Sequence, residues 1–309
     1  MNELEWLVDT SRRLGSDSEL VQGTGGNISV KSGSKMYIKS SGVRIDSIGP
    51  GAGYSIIDHN KIVDIYSQNV DEKDADMAVL QSVTYGGRPS IETGFHSFLG
   101  KYVIHLHIAS LNTILCSVGS KKLLEEIFYD VNHIWIPYVK VGHMLALEIT
   151  KKQPTEESVI FLENHGIIVS SKNPLACAEK INLIRSRVAN YMKSKVTGFH
   201  EFIYSEPTKS GSSLVNSSQE VAYAWKSGKF LFPDAAVFSV SEKIILNGSG
   251  LCYFTDYQNA INIDEVLSVH AYINLMIKKF SSPKYLTDKE ISDILGMESE
   301  KYRGRLMGL

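Results

Sequence analysis

A chain of 309 residues, 43% of them hydrophobic, can bury a sizeable core, and its length suits one large domain or two smaller ones. The formal net charge of -2 comes with scattered lysines and no basic stripe, which argues against nucleic acid or an anionic membrane as the main partner and favours small-molecule chemistry. Cys116, Cys177 and Cys252 are far apart and odd in number, no apolar signal or membrane-length run is visible, and the expected compartment is therefore the reducing cytoplasm.

From the N-terminus, Leu4, Leu7, Val8 and Leu14 recur at helical spacing in MNELEWLVDTSRRLG and predict an amphipathic helix. It runs into LVQGTGGNISVK, residues 20–31, glycine-rich like a phosphate loop. The stretch fits neither a Walker A loop, which needs a Lys-Ser/Thr pair after its second glycine, nor a dinucleotide fingerprint. ISVK and KMYIKSSG read as a hairpin around the polar turn SGS. SIIDHNKIVDIY shows further strand-like alternation, and DEKDADMAVLQSVTYGG, acidic first and apolar later, reads as a helix ending at Gly86-Gly87. Ser90 is the expected N-cap of a short helix in IETGFHSFLG.

KYVIHLHIAS reads as a strand, LNTILCSV and KKLLEEIFYD as helices, and HIWIPYVKVG as a strand. Two short apolar strands flank Asn164-His165-Gly166, and a long amphipathic helix starts at Asn173-Pro174. SEPTKSGSSLVNSSQE, rich in Ser, Thr and Pro, reads as a linker or surface loop. Beyond it come a strand pair around KIILNGSGLCYFT, a helix through DEVLSVHAYINLMIKKF, and a last helix opened by Thr287 and Glu290 in capping-box spacing. Strands alternate with helices without internal repeat, so an α/β or α+β layered fold is expected.

His105 and His107 stand two apart in a strand, and period-two alternation puts both imidazoles on one face while Leu106 faces the other way. Such a pair presents two neutral nitrogens to a divalent ion, and an open tetrahedral site needs a third ligand, for which His165 at its glycine-flanked tip is the natural candidate. Any single histidine is more often a surface or hydrogen-bonded residue than a ligand. Glu92, four residues before His96 on the same expected helix face, could move a proton; its plainer reading is a first-turn acid complementing the helix dipole.

QGTGGNISVK, IKSSGVRI, RPSIETGFHSFLG, VIHLHIASLN and FLENHGIIV, in this order, resemble the class II aldolase/adducin family over about residues 1 to 195. That family includes fuculose-phosphate and rhamnulose-phosphate aldolases and ribulose-phosphate 4-epimerase. FPDAAVF and MESEKYR look like the C-terminal extension of its longer bacterial members; the dehydrogenase fused to some of them has no counterpart here. The resemblance implies an α/β/α sandwich around a largely antiparallel sheet over residues 1–200, with 201–309 an extension packed on the same domain. It implies that His105, His107 and His165 bind a divalent ion, zinc first, with Mn2+, Co2+ or Fe2+ as alternatives. Glu92 becomes the acid/base, and Gly26, Asn27, Ser41, Gly42 and Ser90 fall where the family holds a substrate phosphate. Ile91 departs from the second serine of the fuculose-phosphate enzymes, and a proton-donor tyrosine from a neighbouring subunit has Tyr129 and Tyr138 near its region.

The activity implied is that of a metal-dependent aldolase acting on a small phosphorylated sugar through an enediolate stabilised by the ion, in a homo-oligomer, commonly a tetramer. Decarboxylation of a β-keto sugar-acid phosphate ranks second and pentulose-phosphate 4-epimerisation third, the latter needing further acid/base residues. A non-catalytic adducin-like interaction module is the rival from another class. The presence of all three histidines and Glu92 argues against it.

Overall fold

The computed structural model describes residues 2–68, 70–210, 213–248 and 250–306. Helix α1 (Glu3–Gly15) opens on a capping box between Asn2 and Glu5 and buries Leu7, Val8 and Leu14. Strands β1 (Asn27–Ser32) and β2 (Lys35–Lys39) form the expected hairpin, and β3 (Tyr54–Asp58) extends it. The alternation expected to carry β3 onward stops at Asp58, whose side chain accepts the Asn60 N–H, so that HNKIVDIYS winds into α2 (His59–Ser67) with Ile62 buried. Helix α3 (Glu72–Gln81) also ends earlier than expected, because Val83–Tyr85 pairs with β3 as β4.

Then follow α4 (Thr93–Phe98), β5 (Tyr102–Leu106), α5 (Ala109–Leu115), α6 (Ser120–Ile127) and β6 (Ile134–Ile136). Only those three residues of HIWIPYVKVG are strand, paired with the later β7, and an unexpected helix α7 (His143–Lys151) follows. Strands β7 (Val159–Leu162) and β8 (Gly166–Ser171) and the long α8 (Pro174–Lys195) complete this part. The eight strands make one sheet in the order β4-β3-β2-β1-β5-β8-β7-β6, antiparallel except for the parallel β6–β7 pair. Strand alternation divides the core. Ile104, Leu106, Ile167 and Val169 pack with residues of α1, α5 and α8, whereas Val103, Ile160 and Ile168 pack with Phe95 of α4 and Leu145 and Ile149 of α7. Helices cover both faces of the sheet, giving an α/β/α sandwich.

The serine-rich stretch expected as a linker carries β9 (Thr208–Ser210) and β10 (Ser213–Asn216), with Gly211 and Ser212 outside the described residues. Leu214 is buried in the core, and Ser218 accepts the Val221 N–H to cap α9 (Gln219–Lys226). After α10 (Pro233–Ser239) come β11 (Ile244–Asn247) and β12 (Gly250–Tyr253), completing a second sheet in the order β11-β12-β10-β9. Ser249, in the expected strand pair, lies outside the described residues. Helix α11 (Tyr257–Lys278) is buried on nearly every side against α5, α9 and α10. Thr287 and Glu290 form the expected capping box of α12 (Asp288–Leu295), which is followed by a further helix, α13 (Glu298–Leu306). No helix among the described residues is long and apolar enough to cross a membrane.

Candidate metal centre

Antiparallel pairing gathers the candidate residues at one edge of the sheet. Asn27 at the start of β1 is in register with His105 near the end of β5, and β8, beside β5, begins directly after His165. β2 runs antiparallel to β1 and ends at Lys39, and a bridge between Ser40 and Pro89 brings Ser90 and Glu92 alongside. Gly166 permits the closest approach, since a Cβ there would meet Leu106 O at 2.4 Å and the ring carbons His107 Cδ2 and His105 Cε1 at 3.0 and 3.3 Å.

Ligand atoms of His105, His107 and His165 lie within 4.8 Å of one another, and all three residues are buried. Burial pushes His105 down to about 4, against the opposing pull of Glu92, and holds His165 well below the ordinary range, which keeps both imidazoles neutral. Nδ1 of His105 donates to Ile167 O at 2.9 Å, so its Nε2 carries a lone pair. That nitrogen faces His107 Nε2 at 3.0 Å. Glu92 Oε1 lies 3.5 Å from His105 Nε2 and 3.4 Å from His165 Nε2, buried and without a hydrogen-bond partner among the described residues. The His105 lone pair and the unpartnered Glu92 Oε1 therefore converge beside the ring nitrogens of His107 and His165, an arrangement that a divalent cation satisfies. The residues fit such an ion.

Glu92 reaches this spot because it is not on the helix. It is the N-cap of α4, in the place expected for Ser90, and its backbone N–H donates to Ser90 Oγ at 3.2 Å. Its shared face with His96 is lost: His96 turns to Ser29 Oγ, 2.7 Å from its Nδ1, and stacks on Phe95. Asn27 Nδ2 donates to Ser90 Oγ at 2.6 Å and to Glu92 Oε2 at 2.9 Å, fixing the carboxylate. Gly26, Asn27, Ser41, Gly42, Ser90, Ile91 and Glu92 all line one cavity of about 50 Å³, with His107 and His165 at its wall. Tyr129, on the surface, and Tyr138 are not part of that lining.

Residues that sequence reasoning missed close the same cavity. Lys39, buried at the end of β2, donates to Thr24 O and Val43 O, both at 2.8 Å, and burial with Arg303 nearby pulls its ammonium down to about 7. Asp234 of α10 places Oδ2 3.2 Å from His107 Nδ1, and Oδ1 pairs with Arg303 of α13 at 2.9 Å. Burial alone would raise the Asp234 carboxyl, but Arg303 and His107 hold it far below its ordinary range. Glu300 pairs with Arg303 at 2.6 Å. The available signal was the pair of segments FPDAAVF and MESEKYR, which contain Asp234, Glu300 and Arg303.

Residues 5–191 match the Class II Aldolase and Adducin N-terminal domain. An "Uncharacterized oxidoreductase YuxG" of Bacillus subtilis is 27% identical over 226 residues, 64% of this chain, and the match spans only 31% of that relative's length. An "L-fuculose phosphate aldolase" of Methanocaldococcus jannaschii is 26% identical over 186 residues, 55% of this chain and 86% of the relative. Among solved structures, the N-terminal class II aldolase domain of a conserved protein from Thermoplasma acidophilum superposes with a TM-score of 0.56 at 25% identity, covering 62% of this chain and 94% of that one.

Proposed function

The chain belongs to the class II aldolase and adducin family, and from that premise we propose that it is a metal-dependent lyase that makes or breaks a carbon–carbon bond in a small phosphorylated sugar. The observation that carries this reading is the convergence of the buried ring nitrogens of His105, His107 and His165 on one spot beside the buried Glu92 Oε1. His105, His107 and His165 hold the ion, zinc first and manganese, cobalt or ferrous iron as alternatives. When bound, it supplies a Lewis acid for carbonyl chemistry.

Glu92 is the acid/base. With Oε2 held by Asn27, its Oε1 is free to take a proton from substrate carbon or oxygen and return it. The substrate phosphate lies against Gly26, Asn27, Ser41, Gly42 and Ser90. Ser90 Oγ already accepts from Asn27 and from the Glu92 N–H, which leaves its own proton for an anionic oxygen. Lys39, whose ammonium is pulled down to about 7, lines the same wall and adds positive charge there in its protonated form. Residues 1–200 form the aldolase-like unit and 201–309 an extension packed on it, in a homotetramer of the cytoplasm.

The test is a screen of zinc-loaded protein against sugar phosphates and β-keto acids, with chemical trapping of released aldehyde and carbon dioxide. Aldehyde release that stops on chelation is expected. Carbon dioxide would make it a decarboxylase, and a new pentulose epimer an epimerase. Protein that neither carries nor takes up a divalent ion would leave an adducin-like interaction module.

A further inference from the structure

His107 can offer Nε2 to an ion only when its proton sits on Nδ1. His105 has a backbone carbonyl to fix that tautomer, and at His107 the facing group is the Asp234 carboxylate, 3.2 Å away. Asp234 is buried, and among the described residues Oδ2 has no hydrogen-bond partner of its own. The close approach depends on Gly25, where a Cβ would lie 2.8 Å from both Asp234 Oδ2 and His107 Nδ1. The other oxygen, Oδ1, is held by Arg303 Nη2, and Arg303 is itself held by Glu300 and lies over the Phe238 ring at 5.6 Å. All of these partners except Gly25 lie beyond residue 191, outside the family match.

We propose that Asp234 is a positioning residue of the metal centre, fixing the His107 tautomer that binds, and that Arg303 sets which edge of residue 234 the imidazole meets. The C-terminal extension thereby governs how tightly the ion is held. This rests on the reading of His105, His107 and His165 as ligands. Metal-bound histidines commonly donate their second nitrogen to a carboxylate, and loss of that partner weakens binding roughly 10–100-fold.

The Arg303 contact gives the proposal a signature that a merely structural role lacks. In Asp234→Asn the side-chain oxygen stays on the Arg303 cation, which accepts nothing, so the amide N–H faces His107 Nδ1. The imidazole proton is then driven onto Nε2, where it blocks the ligand position. Asp234→Ala leaves the tautomer free and is milder. Adding Arg303→Met to Asp234→Asn lets the amide turn its oxygen to His107 and restores part of the affinity.

Zinc affinity by chelator competition and the visible spectrum of the cobalt-substituted full-length protein read these effects, with far-UV circular dichroism of each metal-free variant confirming the fold. Affinity falling in the order wild type, Asp234→Ala, Asp234→Asn, with partial recovery in the double variant and an altered cobalt spectrum for Asp234→Asn, supports the proposal. Wild-type affinity in Asp234→Asn while His107→Ala loses the ion overturns it and leaves the ligand reading standing. His107→Ala that still holds the ion overturns the ligand reading and the inference with it. Should Asp234→Asn fail to fold, 15N NMR of the metal-free wild-type protein decides: a His107 proton on Nδ1 supports the proposal, and one on Nε2 overturns it.

Discussion

Glu92 has two oxygens with different surroundings: Asn27 holds Oε2, while Oε1 points at His105 and His165 with no donor of its own among the described residues. Glu92→Gln preserves the side chain's shape and the three imidazoles but cannot take up a proton. Zinc content should therefore stay near one ion per chain while turnover drops on the order of 100-fold or more, as expected for loss of a positioned acid/base. Equal turnover would remove Glu92 from its role. At Gly166 the constraint is steric, because an added methyl meets a backbone carbonyl at 2.4 Å and cannot be relieved by a rotamer change. Gly166→Ala should lower stability by about 1–3 kcal/mol, read from the urea midpoint, and should loosen zinc as well because the new methyl presses on both His105 and His107. A variant with unchanged midpoint and affinity would mean that the tip has room to move.

At the level of elements, two contacts can be weighed. The Thr287 hydroxyl accepts the Glu290 N–H while Glu290 reaches back to the Thr287 N–H, and Thr287→Ala should cost about 1 kcal/mol in a denaturant titration. Glu19, buried before β1, accepts N–H groups from Ser110 of α5 and from Phe202, and burial pushes its carboxyl up to about 6 against an ordinary value of 4.5. A raised acid binds its proton more tightly in the folded state, so its contribution is fully present at low pH and is lost as pH rises from about 4.5 through 6. That loss amounts to about 2 kcal/mol, and Glu19→Gln should remove this part of the pH dependence of the urea midpoint. A slope unchanged in the variant would assign it to other groups. Local signals explain which parts of the chain were readable. The capping boxes and the His105-x-His107 strand announce themselves through neighbours in sequence. HNKIVDIYS could alternate as strand or helix, and one side-chain cap at Asp58 decides it. In the serine-rich stretch composition pointed to surface, while β10 owes its place largely to β12, which lies far along the chain. Asp234 and Arg303 were illegible as site residues for the same reason, since an acid in the first turn of α10 and an arginine in the last turn of α13 read locally as dipole partners.

Across the whole molecule, the region after residue 200 supplies both packing and hydrogen bonds to the larger sheet unit. Asn164, held at a left-handed φ of 55° beside His165, donates to Leu231 O and Lys284 O, and Gly23 donates its N–H to Glu265. Cys116 O accepts the Lys284 N–H, Val118 donates to Ser282 O, and α11 covers the apolar side of α5. A chain cut after residue 200 would leave these buried groups unpaired and expose the α5 face, at a cost that exceeds the marginal stability of most domains. Such a fragment should melt without a cooperative transition and bind a hydrophobic dye, whereas the full chain melts in one step. If the fragment instead melts cooperatively and leaves the dye unbound, the sheet unit folds by itself and the extension is an independent module. The result also bears on the metal centre, because a folded fragment retains His105, His107 and His165 but lacks Asp234 and Arg303. Its zinc affinity should then lie below that of the full chain by roughly the 10–100-fold expected for a lost carboxylate partner.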